Sequence, residues 1–385
     1  MHDSIPWLRG IRIKKTIVNS KPIFGEQGDT KMSRTTGIFI AVSIVILVTS
    51  PTFGDWKENA KAIDMSGGED HTLVLTQNKW PWACGPNYAY QLGIGDNTDP
   101  RKTLLRVLKG DMNSTSDYLE DINDVDAGWK HSLALESYDL SEPNCKGYVW
   151  AWGRNDEGEL GNDGFGLYQD KPVQVLRGEQ TPADPNNPDP NLACIIDISA
   201  GRSGEHSLAV DVNGYAYAWG MNQEGQLGNG EHGQGEREFT PVKVKGVGGQ
   251  GCLANIIAVS AGADHSMALE KIDPNLNGSV YTWGANKWPG DGEYYQAGSG
   301  KLGNGTAVAL SDTPVRVLSG QQDPNHPYLQ EIVAISAGWN HCMALEEYDA
   351  FDPNLNGRVY AWGSNGQGWA MGAKKLDLKG FLLSY

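Results

Sequence analysis

The sequence predicts an all-β protein: a propeller of four-stranded antiparallel blades with five recognisable repeats. Three observations carry this. A Gly-x-x-His-Ser-x-Ala-Leu element recurs five times, an alternating strand ending in Trp-Gly follows it, and the chain is rich in Gly (49) and Trp (13). Glycine serves tight turns and tryptophan serves packing, so together they point to many short strands joined by turns. Helical periodicity is scarce after residue 60, which argues against an α/β fold.

The first element reads GEDHTLVL from Gly68, GWKHSLAL from Gly128, GEHSLAV from Gly204, GADHSMAL from Gly262 and GWNHCMAL from Gly338. Its histidines are His71, His131, His206, His265 and His341. The second element ends at Trp152-Gly153, Trp219-Gly220, Trp283-Gly284 and Trp362-Gly363, and the first copy carries Cys84-Gly85 in that place. A polar turn closing in Leu-Gly comes third, as in NDEGELG and NQEGQLG, and Pro-Val-x-Val comes fourth. Four short β-rich pieces bounded by Gly, Asn, Asp or Pro make one blade, and a blade needs neighbours to bury both faces. The histidines are 60, 75, 59 and 76 residues apart, so the variable length belongs in surface loops.

These elements, in this order, resemble the regulator of chromosome condensation repeat family, from about Ile63 to Gly372. A secreted, bacterial-type member is the expectation. The resemblance implies a propeller of seven blades, from which five copies depart. The last copy has no Thr-Pro-Val strand, because AKKLDLKGFLLSY follows Gly372. Residues 55–372 are therefore expected to form the propeller and 373–385 a divergent tail.

Upstream, Lys31-Met32-Ser33-Arg34 precedes an apolar run from Ile38 to Val48 and then Pro51-Thr52-Phe53-Gly54. This order describes a secretory signal at 32–54, cleaved after Gly54, with a membrane anchor as the competing reading. Residues 1–31 read as an upstream extension. The mature chain is expected outside the cytoplasm, touching a membrane only if the segment stays uncleaved.

The net charge of −16 disfavours nucleic acid, since phosphates are held by Lys and Arg. The five cysteines are widely spaced without a CxxC, so they support neither a zinc ribbon nor a redox motif, and at least one thiol is unpaired within the chain. No nucleophile elbow, zinc-protease helix or phosphate loop occurs, and neither catalysis nor a cofactor is expected.

The five histidines, with Trp152, Trp219, Trp283 and Trp362, are expected to be scaffold, each histidine bonding a neighbouring turn. Asp273, Asn275 and Asn277, and again Asp352, Asn354 and Asn356, match the first half of a calcium loop. The twelfth position is Gly284 or Gly363 instead of Glu, so an Asn-Gly turn is the favoured reading. The insertion Lys287 to Gly300 carries Trp288, Tyr294 and Tyr295, which are either interface anchors or a cover for the blade. The expected function is binding of an unidentified protein partner through loops on one face. Nucleotide exchange on a small GTPase and carbohydrate binding are the alternatives.

Overall fold

The structure is a computed structural model. It describes residues 61–112, 114–139, 145–181, 189–202, 204–273, 276–286, 300–306, 308–320, 322, 326–347, 357–364 and 369–376. The leader, the aromatic insertion and the end of the tail lie outside them. No helix among the described residues is long and apolar enough to cross a membrane.

Five four-stranded antiparallel sheets follow one another along the chain, each a simple meander. Blade 1 contains β1 (Ala62–Gly67), β2 (Thr72–Thr76), β3 (Pro81–Gly85) and β4 (Arg101–Arg106). Blade 2 contains β5 (Ile122–Ala127), β6 (His131–Glu136), β7 (Val149–Gly153) and β8 (Gln169–Gln174). Blade 3 contains β9 (Ile195–Ala200), β10 (His206–Asp211), β11 (Ala216–Met221) and β12 (Arg237–Lys243). Blade 4 starts with β13 (Ile256–Ala261) and β14 (His265–Glu270). A short hairpin of β15 (Ile272–Asp273) and β16 (Leu276–Asn277) follows, then β17 (Val280–Ala285) and β18 (Leu310–Arg316). Blade 5 has β19 (Ile332–Ala337), β20 (His341–Glu346), β21 (Val359–Ser364) and β22 (Trp369–Leu376).

One expectation changes. The last blade does have a fourth strand, β22, which pairs with β21 without the Thr-Pro-Val signal and runs four residues into the expected tail. Main-chain pairing to β21 does not need those side chains. The first blade keeps the common register despite its missing Trp-Gly: Thr72 faces Cys84 as Ser132 faces Trp152.

The blades are held together by one repeated clamp. The carbonyl two residues before the glycine of each Leu-Gly turn receives two donors from the next blade. The Trp152 indole reaches Gln91 O (2.9 Å), Trp219 reaches Glu159 O (2.9 Å), Trp283 reaches Gln226 O (2.8 Å) and Trp362 reaches Lys301 O (2.9 Å). Ser132, Ser207 and Ser266 donate their hydroxyls to the first three of these carbonyls, at 2.8, 2.9 and 2.7 Å. The histidine of the earlier blade meets that hydroxyl in turn: His71 meets Ser132 (2.7 Å), His131 meets Ser207 (3.1 Å) and His206 meets Ser266 (2.9 Å). The histidine therefore bonds the next blade's serine, and the serine bonds the turn, which places one link more than expected between them. With the hydroxyl proton committed to a carbonyl, the ring donates through Nε2.

The turn glycine is required on two counts. Gly161 has φ +63, and a Cβ there would come within 2.8 Å of Val175 and 2.9 Å of the Trp219 indole nitrogen. A second tie runs nearer the axis, between inner strands. Ser66, Asp126, Ser199 and Ser260 accept the main-chain N–H of Ala127, Ala200, Ala261 and Ala337 respectively. Ser66 and Ser199 also donate to the two oxygens of Asp126, so this carboxylate joins three blades.

At the other end of the sheets, each inner strand begins by donating its first N–H to the hairpin of the preceding blade. Ile122, Ile195, Ile256 and Ile332 bond the carbonyls of Lys79, Gly147, Gly214 and Gly278. An ion pair between Lys79 and Asp121 covers the first of these junctions (3.2 Å). A disulfide between Cys145 and Cys194, with Cα atoms 5.2 Å apart, covers the second. Cys84, Cys252 and Cys342 remain as thiols. Leu, Val, Ile and Ala from facing sheets fill each junction around a fully buried Trp. The substantial packing joins consecutive blades, and among the described residues nothing comparable returns from blade 5 to blade 1.

Two predictions follow from the clamp. Gly161→Ala should lose about 1–3 kcal/mol in a denaturant titration, whereas Gly166→Ala should lose less. Gly166 has φ +67 and open space around it, so only backbone strain applies there. Burial lowers the pKa of His71 to about 4 and of His131 and His206 to about 3. These rings contribute stability that is complete above pH 6.5 and is lost as pH falls from 6.5 toward 3. Glu159 acts in the opposite sense, because burial raises it to about 7, so its contribution is lost as pH rises from 4.5 through 7. Burial also lowers His265 and His341, and it raises Glu136, Glu205, Glu224 and Glu238 by less than Glu159, so the rings outweigh the carboxyls. The urea midpoint should drop between pH 7 and pH 5, and less steeply in His206→Gln.

Candidate functional site

A meander sends the first-to-second and third-to-fourth connections of every blade to one end of the sheets. This upper face therefore carries all five Gly-x-x-His loops and the Leu-Gly turns. The second-to-third hairpins and the links between blades lie on the lower face. The clamp residues are consumed in holding consecutive blades together. What distinguishes the upper face is the set of residues that vary within the motifs.

The residue before each motif histidine is Asp70, Lys130, Glu205, Asp264 or Asn340, and the one before that is tryptophan in blades 2 and 5, Trp129 and Trp339. These side chains meet across the blades. The Lys130 ammonium lies 5.3 Å from the centre of the Tyr88 ring and 4.2 Å from that of Trp129. The Arg154 guanidinium sits over Trp129 at 4.9 Å. Arg154 then bonds Asp156 (2.6 Å) and Glu205, and lies 4.0 Å from Glu159. The Tyr88 hydroxyl donates to Asp70. The result is a continuous ladder of rings and charges from blade 1 to blade 3.

Beside it, Arg237 pairs with Glu157 (3.1 Å) and lies 5.2 Å from the Phe165 ring, which meets Phe239 edge-on at 5.6 Å. Tyr90 and Tyr168 make a similar contact between blades 1 and 2 at 6.4 Å. Trp339 belongs to blade 5 and is exposed. Burial, opposed by Arg154, raises the Glu205 carboxyl, as it does Glu159 beside it.

One constellation has the look of catalysis. Cys342 Sγ is 3.2 Å from His265 Nε2, and His265 Nδ1 is 3.5 Å from Asp264 Oδ1. Cys342 and His265 are both fully buried, however, and burial drives the thiol far above its ordinary range. The thiol donates to Lys301 O, so Cys342 is the clamp residue of blade 5 in place of serine. Lys301, also buried, is held by Asp264 at 2.6 Å. A nucleophile without access to substrate and without a thiolate performs no nucleophilic chemistry.

The four motif tryptophans and the first four motif histidines sit where the repeat placed them. His341, half-buried on blade 5, has no described serine ahead of it. Trp288, Tyr294 and Tyr295 lie outside the described residues. Asn275, Asp352, Asn354 and Asn356 also lie outside them. The main chains of Asp273 and Asn277 belong to the short hairpin β15–β16, on the lower face, and Gly278 follows at φ +62. Sequence reasoning passed over Trp129, Lys130, Arg154 and Trp339. The signal was there: they occupy positions within or beside the motif where the copies disagree.

The family model described as the regulator of chromosome condensation (RCC1) repeat matches residues 146–210, 213–269 and 277–345, and a second model of that repeat matches 195–226. A bifunctional serine/threonine-protein kinase/NEDD4-like E3 ubiquitin-protein ligase of Dictyostelium discoideum is 30% identical over 59% of this chain and 11% of its own length. The ultraviolet-B receptor UVR8 of Arabidopsis thaliana is 28% identical over 80% of this chain and 54% of its own. Thus the chain spans only part of the curated relatives it matches. Human WBSCR16 superposes with a TM-score of 0.57 at 17% identity, covering 83% of this chain and 68% of that one. Yeast RCC1 (Prp20), solved bound to Kap60, gives 0.56 at 21%, covering 82% and 64%. At such identities the likeness concerns the fold alone. The repeated clamp, the five meander blades and the matched repeats together make this chain a member of the regulator of chromosome condensation repeat family.

Proposed function

We propose that this propeller is a protein-binding scaffold whose recognition surface is the upper face. The observation that carries this reading is the ladder from Tyr88 through Lys130, Trp129 and Arg154 to Glu205. The clamp accounts for the residues the blades share, whereas the ladder is built from residues that single blades own. It is held in place before any partner arrives. Rigid aromatic and arginine side chains, already ordered, lose little entropy on binding and are the usual anchors of interfaces. The yeast relative was solved in complex with another protein.

The scaffold is further proposed to work outside the cytoplasm, after removal of the segment 32–54. The Cys145–Cys194 disulfide supports this, because such bonds persist in oxidising compartments and are reduced in the cytosol.

Two measurements test these readings. In affinity capture with the full chain, the double substitution Trp129→Ala/Trp339→Ala should abolish recovery of the partner, while Tyr138→Ala/Tyr328→Ala on the lower face should not. Equal recovery from both variants would remove the upper face from consideration. Non-reducing peptide mapping of native protein should return a peptide joining Cys145 to Cys194 and an N-terminus at Asp55. Free thiols at both positions, or a peptide from residues 17–24, would count against the extracytoplasmic reading.

A further inference from the structure

We propose that the partner presents a lysine- or arginine-rich segment to the upper face, seated over exposed aromatic rings and between carboxylates. This rests on the reading of that face as the binding surface and names the chemistry it selects.

The rings come first. Tyr88, Phe165, Tyr168 and Trp339 are between 39% and 59% exposed, although large aromatic side chains are ordinarily covered. The face already uses its rings as cation platforms four times: Lys130 on Tyr88, Lys130 on Trp129, Arg154 on Trp129 and Arg237 on Phe165. A ring in water that carries a cation at 4–5 Å offers the same to an external one. Tyr168 and Trp339 carry no cation among the described residues; Tyr168 meets Tyr90 edge-on and bonds Asp156, and Trp339 is the exposed tryptophan of the face.

The charges point the same way. The cations of this face are engaged at home. Arg154 is shared by Asp156, Glu159 and Glu205, Arg237 is held by Glu157, and Lys301 is buried against Asp264. An acidic segment would have to draw Arg154 or Arg237 away from these carboxylates, or Lys130 away from the Tyr88 and Trp129 rings. Carboxylates are left in excess. Glu224 lies in the field of Asp264, and Glu238 in that of Glu231. Burial first, and these neighbouring carboxylates second, raise both groups. An incoming ammonium or guanidinium relieves that crowding, whereas an incoming carboxylate adds to it. The whole chain, at −16, repels acidic partners at long range and draws basic ones.

The lower face lacks this combination. Its cations lie over rings as well, Arg106 on Trp80 and Tyr118, Lys243 on Tyr215, and Arg316 on Tyr281 and Tyr328, but each contact stays within one blade and the link after it, and no tryptophan among the described residues is exposed there.

Fluorescein-labelled octalysine and octaarginine, with octaglutamate as the control, give a direct test by anisotropy on the full chain. Both basic peptides should bind at low salt and weaken as ionic strength rises past the point where the Debye length falls to about 10 Å, while octaglutamate should not bind. The combined substitution Trp339→Ala/Glu224→Gln should weaken the basic peptides about tenfold. Tyr138→Ala/Tyr328→Ala should leave them unchanged, and circular dichroism confirms that each variant is folded. Binding of octaglutamate as tight as octalysine would overturn the proposal. So would basic-peptide binding that ignores the upper-face substitution, because it would be general attraction to an acidic protein. If capture of the natural partner still depends on Trp129 and Trp339 while the basic peptides fail, the face stands and only the partner's chemistry is wrong.

Discussion

Everything in this molecule hangs on a carbonyl group with two donors. A blade ends its third strand and turns, and the carbonyl just before Leu-Gly points across the junction. There it receives the indole N–H of the next blade's tryptophan and the hydroxyl of its serine. The earlier blade's histidine completes the circuit by donating to that same hydroxyl. Each of these groups is buried, so leaving any one unmatched would cost about 1–3 kcal/mol. The arrangement matches the carbonyl, the indole, the hydroxyl and the ring's Nε2, yet only when two blades meet in one register and at one distance. Hydrophobic burial drives the sheets together, but burial is non-directional. The clamp is not.

A repeated clamp also explains which parts of the repeat tolerate change. Ser becomes Cys342 in blade 5, and the contacts to His265 and Lys301 O survive at the longer distances sulfur needs. At the lower end of the junctions an ion pair at Lys79–Asp121 gives way to a disulfide at Cys145–Cys194, around the same main-chain bond. The chemistry of a junction can vary as long as its geometry is kept. Loops that take no part in the clamp are under neither constraint, and they differ from blade to blade.

That division separates scaffold from surface. Tyr88, Trp129, Lys130, Arg154 and Glu205 come from blades far apart in sequence, and the ring brings them together on the upper face. Their order is set by cation–ring and ion-pair contacts among themselves, so they stand ready in one arrangement instead of being sorted when a partner binds. On the proposed reading, the acidic character of the chain adds a long-range attraction for basic partners to this short-range platform.

Sequence alone determined the fold to the level of individual strands. Turn residues and the recurrence of His and Trp are local signals, and they predicted four strands to a blade, as found in β5 through β8 and their equivalents. It also marked the motif histidines and tryptophans as scaffold, because one residue per repeat at one position is what a ring requires. Tertiary structure alone decided three things. β22 was invisible because a strand can be held by main-chain pairing without its usual motif. The pairing of Cys145 with Cys194 depends on a junction 49 residues wide, which spacing does not reveal. And the ladder of the upper face joins residues whose neighbourhood exists only once the blades have closed side by side, since Tyr88 and Glu205 share no local pattern in the chain.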